Sequence, residues 1–221
     1  MTIICILLLS IFSLGAFLIY KKSKNEKNIE KAFVLALASI VLFSLGLEMS
    51  IFNIKKEVIM ELRYFYKGFN YSQDGPGNRI VYHLQGCNMK CPWCSNPEGM
   101  VPNAECKTAT LDDIVAEILS VRPMFFENGG VTFTGGEATL QLSAIYEIMK
   151  RVKAEGVNTA IETNATSPQL LKLLDVCDFF MTDYKSPLAN KYKNVIGGDL
   201  EVIEKNLREL SLKTHVHIRI P

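Results

Sequence analysis

The sequence predicts an α/β protein, a parallel sheet with helices outside it, carried behind a hydrophobic two-helix segment. Three observations predict it. Five β-branched or aromatic runs alternate with amphipathic stripes through residues 60–221, polar clusters follow the runs, and two long apolar runs fill residues 1–59. Strands that alternate with helices at this spacing give sheets whose faces are covered by helices. With 221 residues, 48% of them apolar, the chain can bury one sizeable core plus an appendage. A net charge of +1 gives no argument for nucleic acid.

The appendage comes first. Residues 2–20 carry no charge and residues 32–51 carry only Glu48. At about 1.5 Å per residue, each run is long enough to cross a bilayer core of roughly 30 Å. A basic loop with Lys21, Lys22, Lys24 and Lys27 separates them, so a transmembrane helical hairpin is expected. No basic residue precedes the first run and no small-x-small cleavage site follows it, which argues against a signal peptide. The positive-inside rule puts the basic loop in the cytoplasm, whereas Lys55, Lys56 and Arg63 pull partly the other way. The alternative organisation treats residues 1–59 as a fusion or a misplaced start, with the functional unit beginning at Met60.

Residues 79–85 (RIVYHLQ) form the first expected strand and run directly into a cysteine loop. Residues 110–120 place Leu111, Ile114, Val115, Ile118 and Leu119 on one helical stripe, with Thr110 and Asp113 spaced as a capping box. A strand over 130–134, a helix over 140–155 closed by Gly156, and a strand over 157–162 follow. Ser167-Pro168 then opens a helix through residue 175. The last elements are a strand at 179–183, a helix at 199–210 and a strand at 215–220.

In parallel α/β folds the loops at the carboxyl ends of the strands build the site. Here those loops hold 87–95, Gly135-Gly136-Glu137, Glu162-Thr163-Asn164 and Asp183-Tyr184-Lys185. Cys87, Cys91 and Cys94 have the spacing C-x3-C-x2-C. Thiolates ligate iron–sulfur clusters, normally four per cubane, so three in one tight loop leave one iron open to a substrate. The competing reading is a structural zinc site completed by Cys106, twelve residues further on. Cys5 and Cys177 read as small apolar residues, and the absence of a regular disulfide framework fits a reducing compartment.

Each rim cluster also has an ordinary reading. Gly135-Gly136 can be a tight turn, but two glycines also let backbone approach a ligand closely, and Glu137 offers a carboxylate to an ammonium group. Glu162 can be a strand-end charge, and Asp183 with Lys185 a surface ion pair of little energetic worth. Their common position on one rim favours a site. His83, His215 and His217 sit on strands and receive no role.

The C-x3-C-x2-C loop resembles that of the radical S-adenosylmethionine (SAM) enzymes. DGPGNR at 74–79, GCNMKCPWCSNPEG at 86–99 and GGVTFTGGEATLQ at 129–141 resemble, in order and spacing, the glycyl-radical-enzyme activating enzymes of that superfamily. IETNA at 161–165, MTDYK at 181–185 and VHIRIP at 216–221 resemble that family's later strand ends. The likeness covers roughly residues 62–221 and none of the apolar hairpin.

The resemblance implies a partial (β/α) barrel of radical SAM type. It implies an oxidoreductase that splits SAM reductively on a 4Fe-4S cluster to a 5′-deoxyadenosyl radical and makes a glycyl radical on a partner enzyme. Cys87, Cys91 and Cys94 would ligate the cluster, and Trp93 and Ser95 would contact SAM near its adenine. Gly136 would meet the SAM amino group, with Gly135 and Glu137 adjoining; Asp183, Tyr184 and Lys185 match a SAM-binding segment, and Glu162 stands where an aspartate is commoner. Asp74 is the candidate for presenting the glycine-bearing loop. The implied partners are a glycyl radical enzyme, a flavodoxin- or ferredoxin-like electron donor and, through the hairpin, a membrane. The catalytic part would be cytoplasmic.

Two departures stand out. Only 40 residues separate Cys94 from Gly135, too few for an insert carrying extra clusters. Family members also continue beyond the IRIP strand to a further strand, a helix and a SAM-holding histidine. The expectation is therefore a fragment, or an incomplete barrel with one exposed edge. The competing functions are another short radical SAM enzyme and a membrane-tethered iron–sulfur remnant without catalysis.

Overall fold

A computed structural model describes residues 60–101 and 106–220, together with the helical positions Val34, Leu37 and Val41. The chain divides into two compact units, Met1–Val58 and Ile59–Pro221. Apart from those three helical positions, the apolar runs 2–20 and 32–51 and the hairpin expected from them lie outside the described residues. Among the described residues no helix is long and apolar enough to cross a membrane.

Seven strands build the second unit: β1 (Glu61–Tyr71), β2 (Asn78–Leu84), β3 (Lys107–Thr110), β4 (Gly130–Gly135), β5 (Asn158–Thr163), β6 (Phe179–Asp183) and β7 (Val216–Arg219). They form one sheet in the order β3-β1-β2-β4-β5-β6-β7. The five strands expected from the sequence are β2, β4, β5, β6 and β7, and their pairings are parallel. The expectation of a wholly parallel sheet is corrected by β1, which runs antiparallel to both β2 and β3. β1 escapes a pattern reading because only Leu62 and Tyr64 alternate cleanly inward before the strand turns outward past Gly68. β3 is four residues long, KTAT, with no apolar run at all.

β2 is buried along most of its length because it is covered on both faces, as parallel strands are. The covering helices are α1 (Leu111–Ser120), α2 (Leu142–Ala154) and α3 (Leu200–Ser211). Thr110 caps α1: its hydroxyl accepts from Asp113 N at 3.2 Å and donates to Asp113 Oδ2 at 2.7 Å, an arrangement worth about 1 kcal/mol. α1 buries Ile114 and Ile118, α2 buries Ile145, Ile148 and Met149, and α3 buries Ile203 and Leu210. Each such side chain stabilises the fold by roughly 1.5–3 kcal/mol. The helix expected up to residue 175 is instead a single 3-10 turn, Leu170–Leu173. Only Leu170 and Leu173 of that turn are buried, and one turn that anchors two residues does not repay the cost of propagating a helix.

At the amino ends of the parallel strands lies a polar knot around Arg79, which is 0% exposed. Its Nε donates to Thr132 Oγ1 at 2.7 Å, one terminal nitrogen to Pro76 O and Asn158 Oδ1, and the other to Val131 O. Thr132 in turn donates to Asp74 O at 2.6 Å. Burial lowers the guanidinium pKa to about 10, against the pull of Cys177, Asp178 and Asp74. The loop 74–77 is thereby fixed from below the strands.

Candidate active site

The carboxyl ends of β2, β4, β5 and β6 surround one cavity of about 410 Å3. Every site residue that the family resemblance implies lines it except Tyr184. Tyr184 turns its hydroxyl away to Glu204 Oε1, 3.1 Å distant, and packs on the core.

The cysteine loop leaves β2 at Gln85 and is held by main-chain bonds from two sides, the 99–100 segment and Ile196. Gly86 N donates to Gly99 O, Cys87 N to Met100 O, and Lys90 N to Ile196 O. Cys94 N closes a turn onto Cys91 O at 3.1 Å. The loop's shape is thus set by peptide groups, which leaves the thiols to face the cavity. Met89 N donates to Cys87 Sγ at 3.4 Å. Burial pushes the Cys87 thiol up in pKa, partly countered by that N–H, and pushes Cys91 up against the pull of Lys185. Trp93 is about half exposed beside them.

Cys106 does not line the cavity, and among the described residues no three His, Cys, Asp or Glu side chains are arranged to hold a single metal ion. Cys106 thus stands apart from the three thiols that share the cavity wall. Three thiols on one wall, two of them, Cys87 and Cys91, disfavoured as free thiolates by burial, suit a multi-iron cluster whose positive charge stabilises them.

Beside the thiols, Gly135 has φ +111 and Gly136 follows it. A Cβ at Gly135 would lie 2.2 Å from Leu84 N, and one at Gly136 would lie 2.1 Å from Gly86 O. Only glycine fits at either place, because β4's exit presses against the exit of β2. The pair is therefore needed for strand packing as well as for any approach of a ligand.

Glu137 does not offer a free carboxylate. It is 1% exposed, and its Oε1 accepts from Thr139 N (3.0 Å) and Thr163 Oγ1 (2.6 Å) while Oε2 accepts from Asn164 N (2.8 Å). Its oxygens are engaged by the protein itself, so the expected reach to an ammonium group has strong internal competition.

The remaining charges come in pairs. Lys185 Nζ lies 2.8 Å from Asp183 Oδ2; burial works against the ammonium, but Asp183 outweighs it and holds the Lys185 pKa above its ordinary value. Glu162 accepts from Thr134 Oγ1 at 2.8 Å and lies 2.6 Å from Arg219 NH1. Arg219 NH1 makes no hydrogen bond, so this is a contact of charges only. Burial raises the Glu162 carboxyl despite Arg219. Asp74 reaches the cavity from the opposite end of the strands, and Asn70 Nδ2 donates to its Oδ2 at 2.5 Å.

Arg219, which the sequence does not single out, and His83, to which it gives no role, also line the cavity. Arg219 sits directly opposite Asp183 in the β6–β7 register, a neighbour that becomes visible only once strand order is known. His83 shares β2 with the buried Val81, and its Nδ1 is buried with no partner; burial lowers its pKa against the pull of Asp74 and Glu98.

Comparison with known proteins gives a consistent picture. The model of the Radical SAM superfamily matches residues 81–220. The pyruvate formate-lyase-activating enzyme of Streptococcus mutans is 34% identical over 149 residues, 63% of this chain and 57% of that one. Its namesake from Staphylococcus epidermidis is 35% identical over 156 residues, 66% of this chain and 62% of that one. The pyruvate formate-lyase 1-activating enzyme of Escherichia coli K12 is 34% identical over 129 residues, 56% and 52% of the two chains. The matched stretch thus spans between 52% and 62% of these relatives. Among solved structures, QueE from Escherichia coli aligns at 14% identity with a TM-score of 0.46, over 75% of this chain and 86% of that one. So loose a likeness says nothing about the site.

Proposed function

Because this chain belongs to the radical SAM superfamily, we propose that it is a glycyl-radical-enzyme activase built on a partial (β/α) barrel. The observation that carries the proposal is a single cavity that gathers three thiols, a double-glycine turn, an Asp–Lys pair and, from the far end of the strands, Asp74. The relatives named above, at about a third identity, are pyruvate formate-lyase-activating enzymes, and that supports the same reading.

Cys87, Cys91 and Cys94 would hold a 4Fe-4S cluster, and Gly135, Gly136, Asp183, Lys185, Trp93 and Ser95 would receive SAM. When bound, these groups supply a one-electron cleavage of SAM whose 5′-deoxyadenosyl product takes a hydrogen atom from a glycine of the partner enzyme. The protein's own work is orientation. Lys185, kept protonated by Asp183, offers a fixed positive charge to a carboxylate, and Glu162 with Arg219 offers a balanced pair that polar ligand groups can open. Tyr184 contributes through its main chain, since its N–H donates to Arg219 O at 2.9 Å and so holds the end of β7 against the rim. Asp74, braced by Thr132 and Arg79, would accept from the main chain of the glycine-bearing loop. A flavodoxin- or ferredoxin-like protein in the cytoplasm would supply the electron, and residues 2–20 and 32–51 would anchor the activase to the membrane.

The test is anaerobic reconstitution of the full chain with iron and sulfide. A brown protein whose reduced EPR signal changes on adding SAM, and which releases 5′-deoxyadenosine with dithionite, is the expected result. A colourless protein holding stoichiometric zinc overturns the reading. A loaded cluster that forms no 5′-deoxyadenosine leaves only the non-catalytic remnant. SAM cleavage without a glycyl radical on any candidate partner points to a different substrate.

A further inference from the structure

Glu137 and Asn88 lie on different loops, yet one chain of hydrogen bonds joins them. Glu137 begins on the β4 exit, where its own N–H donates to Gly86 O at 2.7 Å. Its buried carboxylate crosses to the β5 exit and accepts from Thr163 Oγ1 and Asn164 N. The Asn164 side chain, 5% exposed, then donates from Nδ2 to Asn88 Oδ1 at 2.9 Å, inside the cysteine loop. Asn88 Nδ2 returns to Thr166 Oγ1 at 2.7 Å, and Thr166 closes the triangle by donating to Asn164 Oδ1 at 2.6 Å.

The β5 exit is itself held in an unfavourable shape. Ala165 has φ +58, a left-handed conformation that costs a residue with a Cβ. It persists because Ala165 N donates to Thr163 Oγ1 and Asn206 Nδ2 donates to Ala165 O at 2.7 Å. A strained residue persists only where its surroundings over-determine it in this way, so the β5 exit is held in one shape.

We propose that Glu137 is a positioning residue whose carboxylate, through Thr163, Asn164 and Asn88, locks the double-glycine turn and the cysteine loop into one rigid unit. Glu137 on this account does not touch SAM. Its consequence for cofactor binding rests on the radical SAM reading; the rigidity does not.

Two experiments decide it. In iron-free protein, Glu137→Gln presents an amide hydrogen to donors that need an acceptor, which loosens the hub. Hydrogen exchange should then speed up about tenfold over 86–90 as well as over 135–139, because amide protection reports local opening. Acceleration confined to 135–139 overturns the proposal. Asn88→Ala removes an exposed side chain, so folding is not at risk. Exchange over 164–166 should rise in this variant too, and unchanged protection there also overturns the proposal. After reconstitution, Asn88→Ala should keep its full iron content yet need about tenfold more SAM to half-convert the EPR signal. An unchanged half-conversion point with Asn88→Ala, alongside lost SAM affinity in Glu137→Gln, returns Glu137 to the role of a direct ligand. If wild-type protein shows no SAM-dependent signal, the functional reading fails while the exchange measurements still decide the strut.

Discussion

The two ends of the parallel strands handle buried polarity in opposite ways. At the amino ends, Arg79 is wholly buried and its nitrogens are spent on oxygens of the same chain. At the carboxyl ends, three thiols and two charge pairs face a cavity, and Arg219 makes a charge contact without a hydrogen bond. A polar cluster that closes on itself is structure. One that leaves capacity open toward a cavity is available to a ligand, and that difference separates the two ends better than polarity or burial does.

The sharpest way to break the comparison is at the thiols. Cys91→Ala leaves two thiolates, so iron content and SAM cleavage should both fall to background, while Cys106→Ala, outside the cavity, should change neither. Loss of iron in the Cys106 variant would restore the four-cysteine reading. At the other end, Arg79→Leu strands several buried acceptors and should lower unfolding free energy by about 3 kcal/mol or more, read by denaturant titration. A variant that folds stably but loses only SAM affinity would mean the knot belongs to the site after all.

Lys185→Ala sharpens the contrast within the rim. Iron content should hold, while SAM binding weakens about tenfold, or about 1.4 kcal/mol. If binding is unaffected, the Asp183–Lys185 pair is closed in the same sense as the Arg79 knot.

The smallest effect concerns a closed pair on the outside. Burial works against the Asp178 carboxylate, but Lys153, 2.7 Å away, and the N–H of Thr159 outweigh it and hold its pKa below the ordinary value. A carboxyl depressed by folding stabilises the protein above the unfolded pKa, and that contribution is lost as pH falls through the folded value. Asp178→Asn should therefore cost about 1 kcal/mol at neutral pH. The gap from wild type should close as pH drops to about 4 and below, the ordinary carboxylate range. A gap that stays constant with pH would mean packing, not charge, is lost.

What the sequence disclosed follows from the range of the interactions. Of the five parallel strands, β2, β4, β5 and β6 are legible because burial on both faces writes apolar residues into them, the edge strand β7 only because Val216 and Ile218 are β-branched, and the cysteines and glycines because their spacing is local. β1 and β3 are not, since an antiparallel strand that turns half outward carries a mixed pattern. The role of Glu137 is hidden for a different reason: Thr163 and Asn164 lie 26 and 27 residues away and reach it only across two strand exits. Arg219 was in plain view within its motif, but its partners Glu162 and Asp183 belong to other strands.

Trp93 is the only tryptophan among 221 residues, and it stands half exposed at the cavity next to Cys94. All tryptophan emission from the molecule therefore originates at one loop. Tryptophan emission excited selectively over the eight tyrosines is in effect a local signal, so filling of the cavity can be followed by fluorescence in real time and without a label, while the far end of the strands contributes nothing to it.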